Sequence, residues 1–407
     1  MMRFFLFSSV ALTPLYFFDS GGIQISHILL IAFFAMCLFL KVNFITSTPT
    51  ANKLLGGMSL FVLYAVMREF VAFIDSGEIL TLLNPTHAIF GLATFFFVHK
   101  FFHLKSGSSD GVTTLISRSL IIAISIATFG VFAFGFTLSL SEFVERPVGT
   151  FNNPNQIGYF SVLACSLATT LFFANNVNIL YYICILGFTF FLAIVSLSKA
   201  AMLSIIIIPA FLLWHFSIKE SVSNRIWLLL LFSAVAMMII FVVMTNPNRI
   251  VDFVAYDRLS NLAYENDSSL EVRGYSLYFE GTFFEKIFGI SSFEAWMRHD
   301  GAEVHSTFMA PLTYYGFIGG AFFLSIFYFW IRGCKESFGW IGALSICLPP
   351  ILYGITHNGG RFSLLWILMA FSLAIKPKGM IQQGVGQRVV PPTVHRNTML
   401  QRTYRSA

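Results

Sequence analysis

A polar stretch, RPVGTFNNPNQIGYF, occupies residues 146–160 between two long apolar runs. Its first residue, Arg146, carries a permanent charge on a planar fork that can bind phosphate through two hydrogen bonds. A plain connection between apolar segments needs only two or three polar residues, so this stretch predicts that Arg146 binds an anion. The alternative is an arginine that ends an apolar segment by reaching for water.

The asparagines that follow are open to two interpretations. Asn153 and Asn155 are candidates for contact with a bound substrate. Structural roles are at least equally open, because Gly149 and Pro154 favour a turn and Asn155 or Gln156 could cap the helix that starts here.

Two further cations are candidates for the same anion. Lys199 follows Ser198 at the start of a predicted helix, where a cation is unfavourable to the helix dipole. This cost predicts an anion nearby, although an interfacial lysine is the alternative. Arg273 lies in SSLEVRGYSLYFEG, where an ion pair with Glu271 or Glu280 on an amphipathic helix would contribute little stability. We favour functional roles for Arg273 and structural roles for Arg249 and Arg258.

A histidine stands at the start of VHSTFMAPLTYYGFIGG. If the helix begins at His305, then Met309, Leu312 and Gly316 share its face and His305 stands at the boundary between lipid and water. A neutral imidazole there can accept a proton from a sugar hydroxyl; a helix-cap histidine is the alternative. His299, Asp300, Glu303 and His305 match no strong metal-binding motif, so we expect no metal and no cofactor.

The composition sets the environment of these residues. The chain has 407 residues, of which 57% are hydrophobic and 11% charged, whereas soluble proteins carry about 25% charged residues. Apolar runs of about 20 residues recur, and the alternating pattern of a membrane β-barrel is absent. The sequence predicts an all-α polytopic integral membrane protein with about twelve transmembrane helices, at residues 4–18, 23–40, 54–74, 80–98, 115–139, 156–174, 178–196, 200–217, 226–245, 305–331, 338–356 and 360–375.

The Lys and Arg residues predict the orientation of these spans. They are concentrated in the segments that lie inside if both termini are cytoplasmic. We therefore predict a single transmembrane domain over residues 1–375, a large periplasmic loop at 246–304 with amphipathic helices on the membrane surface, and a basic, disordered cytoplasmic tail at 376–407. Contact of the tail with anionic lipid is an alternative, and nucleic-acid binding is not expected.

One charged pair falls inside a predicted span. Arg68 and Glu69 would each cost roughly 2.5–3.5 kcal/mol at the centre of a membrane helix. We expect them to form an internal ion pair, or else to line a hydrophilic cavity.

The unusual polar residues gather at one membrane face. Arg146, Lys199 and Arg273 are joined there by further external residues, namely Arg249, Arg258, Arg298, His305, His357 and Arg361. Basic groups that converge over a hydrophobic interior suit a lipid-linked pyrophosphate whose tail lies among the helices.

The order of these features resembles the bacterial O-antigen ligase/polymerase superfamily, best over residues 145–371. The shared pattern is an external R-x-x-G-T-F-x-N-P-N-Q, a Ser-basic pair at a helix start, a long external loop with an arginine, and H-S followed by Y-x-G-x-x-G. The resemblance implies a GT-C-like fold in the bacterial inner membrane with a periplasmic active site. It assigns Arg146 and Arg273 to the donor pyrophosphate and His305 to the acceptor hydroxyl. Lys199 stands where many relatives carry arginine.

The resemblance also implies the reaction. The donor would be a glycan on undecaprenyl pyrophosphate, and the acceptor would be lipid A-core for a ligase or a lipid-linked glycan for a polymerase. Transfer would invert the anomeric centre in one step without a metal. A transporter or lipid-linked sugar flippase is the alternative from another class, and it would place polar residues and broken helices near the bilayer midplane.

Overall fold

A computed structural model describes residues 1–18, 22–40, 48–105, 109–135, 148–196, 198–219 and 273–377. All regular secondary structure in these residues is helical. The α-helices are α1 (Met2–Ala11), α2 (Ile25–Phe39), α3 (Pro49–Ser76), α4 (Leu83–Lys105), α5 (Ser109–Gly130), α6 (Pro154–Phe173), α7 (Ile179–Val195), α8 (Lys199–Lys219), α9 (Ser276–Phe279), α10 (Phe283–Phe288), α11 (Ser292–Arg298), α12 (Met309–Thr356) and α13 (Ser363–Ala374). A 3₁₀ helix at Ile79–Leu82 precedes α4, and a π-helix at Val131–Gly135 continues α5.

Four helices in the described part of the chain are long and apolar enough to cross a membrane: Pro49–Ser76, Gly111–Ala133, Pro154–Phe173 and Met309–Thr356. Shorter apolar helices accompany them at Met2–Ala11, Ile25–Phe39, Ile179–Val195, Lys199–Leu212 and Ser363–Ala374. The predicted helical class is thus confirmed, whereas the number of twelve spans stays a prediction. The predicted span 226–245, the loop up to residue 272 and the tail from residue 378 lie outside the described residues.

The longest helix, α12, is a hairpin rather than a rod. At about 1.5 Å per residue, its 48 residues would extend roughly 70 Å, far beyond a hydrocarbon core of about 30 Å. Gly339 has φ 73° and reverses the chain. As a result, the backbone nitrogen of Thr307, just before the helix, lies 2.8 Å from the carbonyl oxygen of Gly354 near its end. The two arms correspond to the predicted spans 305–331 and 338–356.

The ends of the helices meet at two faces of the bundle. At the site face, the Tyr16 backbone nitrogen donates to the Thr150 carbonyl (3.0 Å), and the Asn152 side chain donates to the Phe18 carbonyl (2.6 Å). The site face comprises residues 12–18, 148–153, 302–308 and 357–362. At the opposite face, residues 48–53 meet residues 332–339, where Thr50 donates to Glu336 (2.7 Å).

A second break in α12 opens its backbone to another part of the chain. Gly316 has φ 62° and interrupts the helical hydrogen bonds of its first arm. Residues 287–292, here called the inserted segment, fill this break. The backbone nitrogens of Ile290 and Ser291 donate to the carbonyls of Thr313 and Tyr314, each at 3.1 Å.

The charged pair of α3 binds the other side of the inserted segment. Arg68 donates to the Gly289 carbonyl (3.0 Å), and the Ser292 backbone nitrogen donates to the fully buried Glu69 carboxylate (2.8 Å). The expectation of an Arg68–Glu69 ion pair is therefore wrong. Each charge satisfies backbone groups that would cost several kcal/mol if they faced lipid unpaired, and this use explains why two charges occur in an apolar helix.

Substitution of Gly289 tests how closely the inserted segment packs against α12. Its φ is 83°, and a Cβ atom there would lie 2.2 Å from the Tyr314 carbonyl oxygen. We expect Gly289→Ala to lower the free energy of unfolding by at least about 1–3 kcal/mol through backbone strain alone. Thermal unfolding in detergent measures the change.

Gly187→Ala is the matched control. Gly187 lies inside α7, and apart from its chain neighbours and the nearby backbone of α7, no heavy atom of the described residues comes within 4 Å of the position of its Cβ. Alanine there should stabilise the helix by about 0.5–1 kcal/mol. Equal melting temperatures for the two variants would contradict the proposed fit.

Candidate functional site

A polar cavity of about 180 Å³ opens at the site face. Among the described residues, its lining combines amide, imidazole and aromatic side chains with one carboxylate and one guanidinium. These residues come from widely separated parts of the chain: Tyr16, Gly22, Gln24, His27, His87, Asn153, Asn155, Gln156, Tyr159, Glu303, His305, Tyr353, His357, Asn358, Arg361 and Phe362. We call this space the site cavity.

Helix α6 brings two of the predicted asparagines to the site cavity. Asn153 caps α6, because its side chain accepts from the Gln156 backbone nitrogen at 3.0 Å. The Asn155 carbonyl accepts from the Tyr353 hydroxyl at 2.6 Å. The cap is thus Asn153, rather than the predicted Asn155 or Gln156. Both asparagines line the cavity while they also serve the structure, so the two interpretations of the cluster do not exclude each other.

His305 lies in the site cavity, but not on a helix. The first arm of α12 begins at Met309, and residues 302–306 run without helical structure. The prediction that His305 shares a helical face with Met309 is therefore wrong. Ser306 and Thr307 instead bind the end of the second arm: Thr307 Oγ1 donates to the His357 carbonyl at 2.8 Å.

The surroundings of His305 favour its neutral form. Its side chain is accessible from the cavity, yet the enclosing protein removes enough water to lower its pKa. The carboxylate of Glu303 opposes this change, whereas the positive charges of Arg273 and Arg361 lower the pKa further. A neutral imidazole can accept a proton, as the proposed chemistry requires.

Arg273 is close to His305 but does not line the cavity. Its carbonyl accepts from the His305 backbone nitrogen (3.2 Å). Its guanidinium donates to the Thr356 carbonyl (3.0 Å), at the end of α12, where a cation is favourable to the helix dipole. The predicted contact of Arg273 with Glu271 involves a residue outside the described part of the chain.

Lys199 is described by the structure but is not part of the cavity lining. Lys199 is the first residue of α8, whose start packs against Gly158 of α6, close to Asn155. Arg146 lies outside the described residues, as do Arg249 and Arg258. The roles of Arg146, Lys199 and Arg273 at a pyrophosphate therefore stay predictions.

Among the arginines that the structure describes, Arg361 lines the cavity; sequence reasoning placed it at this membrane face but did not name it as a site residue. It follows α12 in the run HNGGR, and this run of polar and glycine residues between two apolar helices was the available signal. One terminal nitrogen donates to Glu303 (2.9 Å) and the other to Asn84 (3.2 Å). His27 and His87 were missed because they fall inside predicted spans, where their sequence context indicates core positions.

Two smaller cavities adjoin the site cavity. One, of about 70 Å³, has mainly apolar and aromatic walls between α3, α4, α12 and α13. The other, of about 110 Å³, lies beneath α11 and includes Phe293 and Trp296. Arg361 belongs to the lining of all three cavities.

In the described part of the chain, no group of three or more His, Cys, Asp or Glu residues is arranged to hold a metal ion. The five cysteines are free thiols.

Comparison with family models finds no match for this chain, and a search of curated proteins finds none either. The functional argument therefore depends on the geometry of the cavity and on the pattern of the sequence.

Gly359 permits the close approach of the HNGGR run to α6. A Cβ atom at Gly359 would lie 2.3 Å from the ring of Tyr159, which is buried. We expect Gly359→Ala to cost about 1–3 kcal/mol of stability by overpacking and to distort the site cavity. Thermal unfolding in detergent measures the loss.

The neighbouring Gly360 provides the control. A Cβ atom there meets its nearest neighbour, the Asn358 side chain, at an ordinary 3.6 Å. Gly360→Ala should unfold near the wild-type temperature, and an equal loss in both variants would show that the Tyr159 contact is not the cause.

Proposed function

We propose that this protein is an inner-membrane glycosyltransferase of the O-antigen ligase/polymerase type. It transfers a glycan from undecaprenyl pyrophosphate to a hydroxyl of lipid A-core or of a growing polysaccharide repeat, at the periplasmic face. One observation carries the proposal: a polar cavity at the ends of apolar helices holds a neutral, accessible His305 among amides and beside a guanidinium.

The chain path supports the membrane arrangement that we propose. Contacts between helix ends suit a path that alternates between the site face and the opposite face, as a GT-C-like bundle of about twelve spans requires. Basic residues gather near the opposite face, including Lys53, Arg332 and Lys335, which favours a cytoplasmic side and cytoplasmic termini there. Exposed Phe279, Phe283 and Phe284 in α9 and α10 suit a loop that lies against the membrane surface.

The lining of the site cavity suits a sugar. Amide side chains such as Asn153, Asn155 and Asn358 both donate and accept hydrogen bonds, as hydroxyl groups require. Aromatic rings such as Tyr353 and Phe362 supply apolar surface next to them.

The reaction that we propose is a single displacement. His305 takes the proton of the acceptor hydroxyl as its oxygen attacks the anomeric carbon. The bond from that carbon to the pyrophosphate oxygen breaks, and the electron pair leaves with the pyrophosphate. Cations stabilise the charge that grows on the leaving group, and the resemblance nominates Arg146, Arg273 and Lys199. Such a reaction requires no metal, cofactor or nucleotide.

A transporter remains the competing proposal, because a broken helix is typical of transporter binding sites. The break at Gly316 is such a feature, but the inserted segment fills it with backbone hydrogen bonds. The polar groups of the described residues gather instead at the ends of the helices, which favours the transferase.

His305 gives the direct test. We expect His305→Ala to reduce glycan transfer by about 10²–10⁴-fold, the usual contribution of general base catalysis. His103→Ala, at the opposite end of α4 from the site face, should transfer at the wild-type rate. Transfer from lipid-linked glycan in liposomes measures both, and wild-type activity of His305→Ala would exclude His305 as the base.

The pH dependence provides a second test. Because the pKa of His305 is lowered from the usual value of 6.5, the imidazole stays neutral at pH 7 and becomes protonated only in more acidic solution. We expect transfer to be constant near pH 7 and to fall along an acid limb centred below pH 6.5. A limb centred at or above pH 6.5 would contradict this assignment.

The acceptor can be identified from the glycans that accumulate in a strain that lacks the gene. Lipopolysaccharide gels are compared with extracted undecaprenyl-linked glycan. Core without O-chains, together with polymer on the carrier, indicates a ligase, and core with a single repeat indicates a polymerase. An unchanged pattern contradicts a role in lipopolysaccharide.

A further inference from the structure

Arg361 has more hydrogen-bonding capacity than its protein contacts use. A guanidinium has five N–H donors, and each terminal nitrogen of Arg361 makes one contact, with Glu303 or with Asn84. Its Nε is buried and has no hydrogen-bond partner among the described residues. Buried donors are rarely left unsatisfied, and each exception calls for an explanation.

The position of Arg361 indicates what it could bind. Its side chain lies where the polar site cavity meets the apolar cavity of about 70 Å³. The walls of this apolar cavity include Phe61, Pro311, Phe323 and Trp366. A ligand that touches Arg361 therefore has polar surroundings on one side and apolar surroundings on the other. An amphiphilic anion matches this pair of environments.

We propose that Arg361 binds the phosphate head of an isoprenoid diphosphate, with the start of the chain in the apolar cavity. The fork geometry of arginine suits a phosphate oxyanion. At about 70 Å³ the apolar cavity takes only the first part of a chain. The naming of the anion as the donor diphosphate rests on the proposed function, whereas the binding site itself does not.

Glu303 occupies the place that the phosphate takes. It contacts Arg361 through one carboxylate oxygen, and 41% of its side chain is exposed, so it can turn into water when a more highly charged anion arrives. Asn84 keeps the other terminal nitrogen in place from α4. The indole of Trp366 donates to the Gly360 carbonyl (2.9 Å) and fixes the backbone beside Arg361.

The experiment is a calorimetric titration of the detergent-solubilised full chain with two probes, inorganic pyrophosphate and farnesyl diphosphate. The variants are Arg361→Gln, Glu303→Gln and Ala88→Leu, the last of which narrows the apolar cavity. The controls are Arg332→Gln and Glu336→Gln, which break a similar ion pair (3.1 Å) at the opposite face.

We expect Glu303→Gln to bind both probes about tenfold more tightly, because a competing carboxylate is removed. Arg361→Gln should bind both probes at least about tenfold more weakly than the wild type. Ala88→Leu should weaken only farnesyl diphosphate, and the two controls should match the wild type. A gain of affinity in Glu303→Gln cannot arise from misfolding, so the test holds even if Arg361→Gln folds poorly.

Unchanged or weaker binding in Glu303→Gln would overturn the inference, as would wild-type binding in Arg361→Gln. Equal affinities for the two probes, with no effect of Ala88→Leu, would overturn the inference that the apolar cavity binds the isoprenoid chain. The ligand of Arg361 would then be free diphosphate. The titration measures binding and involves no glycan transfer. A failure of this inference therefore appears in the affinities for the two probes, whereas a failure of the proposed function appears as wild-type transfer by His305→Ala.

Discussion

The architecture depends on a constraint that lipid imposes on the backbone. A break in a membrane helix exposes carbonyl and N–H groups that lipid cannot satisfy. The break at Gly316 is stable because the inserted segment pairs with it on one side, while Arg68 and Glu69 pair with the inserted segment on the other. Glycines at 289 and 316 allow the backbones to approach closely enough for these bonds, since a Cβ atom at either position would overlap the facing chain.

This insertion determines the position of the residues next to it. The chain leaves the inserted segment through α11 and returns along residues 302–308, where the Val304 backbone nitrogen donates to the Tyr314 hydroxyl at 3.2 Å. The hairpin of α12 carries residues 354–361 back to the same place. His305 and Arg361, which are 56 positions apart in the chain, therefore line one cavity because a glycine break, a glycine turn, the half-buried Arg68 and the buried Glu69 act together.

The site that results is polar, and among its described lining residues Glu303 and Arg361 carry the carboxylate and the guanidinium. The two groups are paired with each other, which lowers the cost of holding the half-buried Arg361 guanidinium there. Amides and aromatic rings make up much of the remainder. Hydrogen-bonding amides beside a guanidinium are the combination that our proposal of a lipid-linked glycan calls for.

Composition and periodicity alone determined the helical class of the described chain and indicated a membrane environment, because 57% of the residues are hydrophobic and long apolar runs recur. The sequence also indicated His305, Asn153 and Asn155, since polar residues at the edges of apolar segments stand out. Only the tertiary structure decided that Arg361 rather than Arg273 lines the cavity, that His27 and His87 face it from inside helices, and that Arg68 and Glu69 bind backbone rather than each other. The physical reason is that each of these outcomes depends on contacts across the bundle, for which the local pattern of side chains contains no signal.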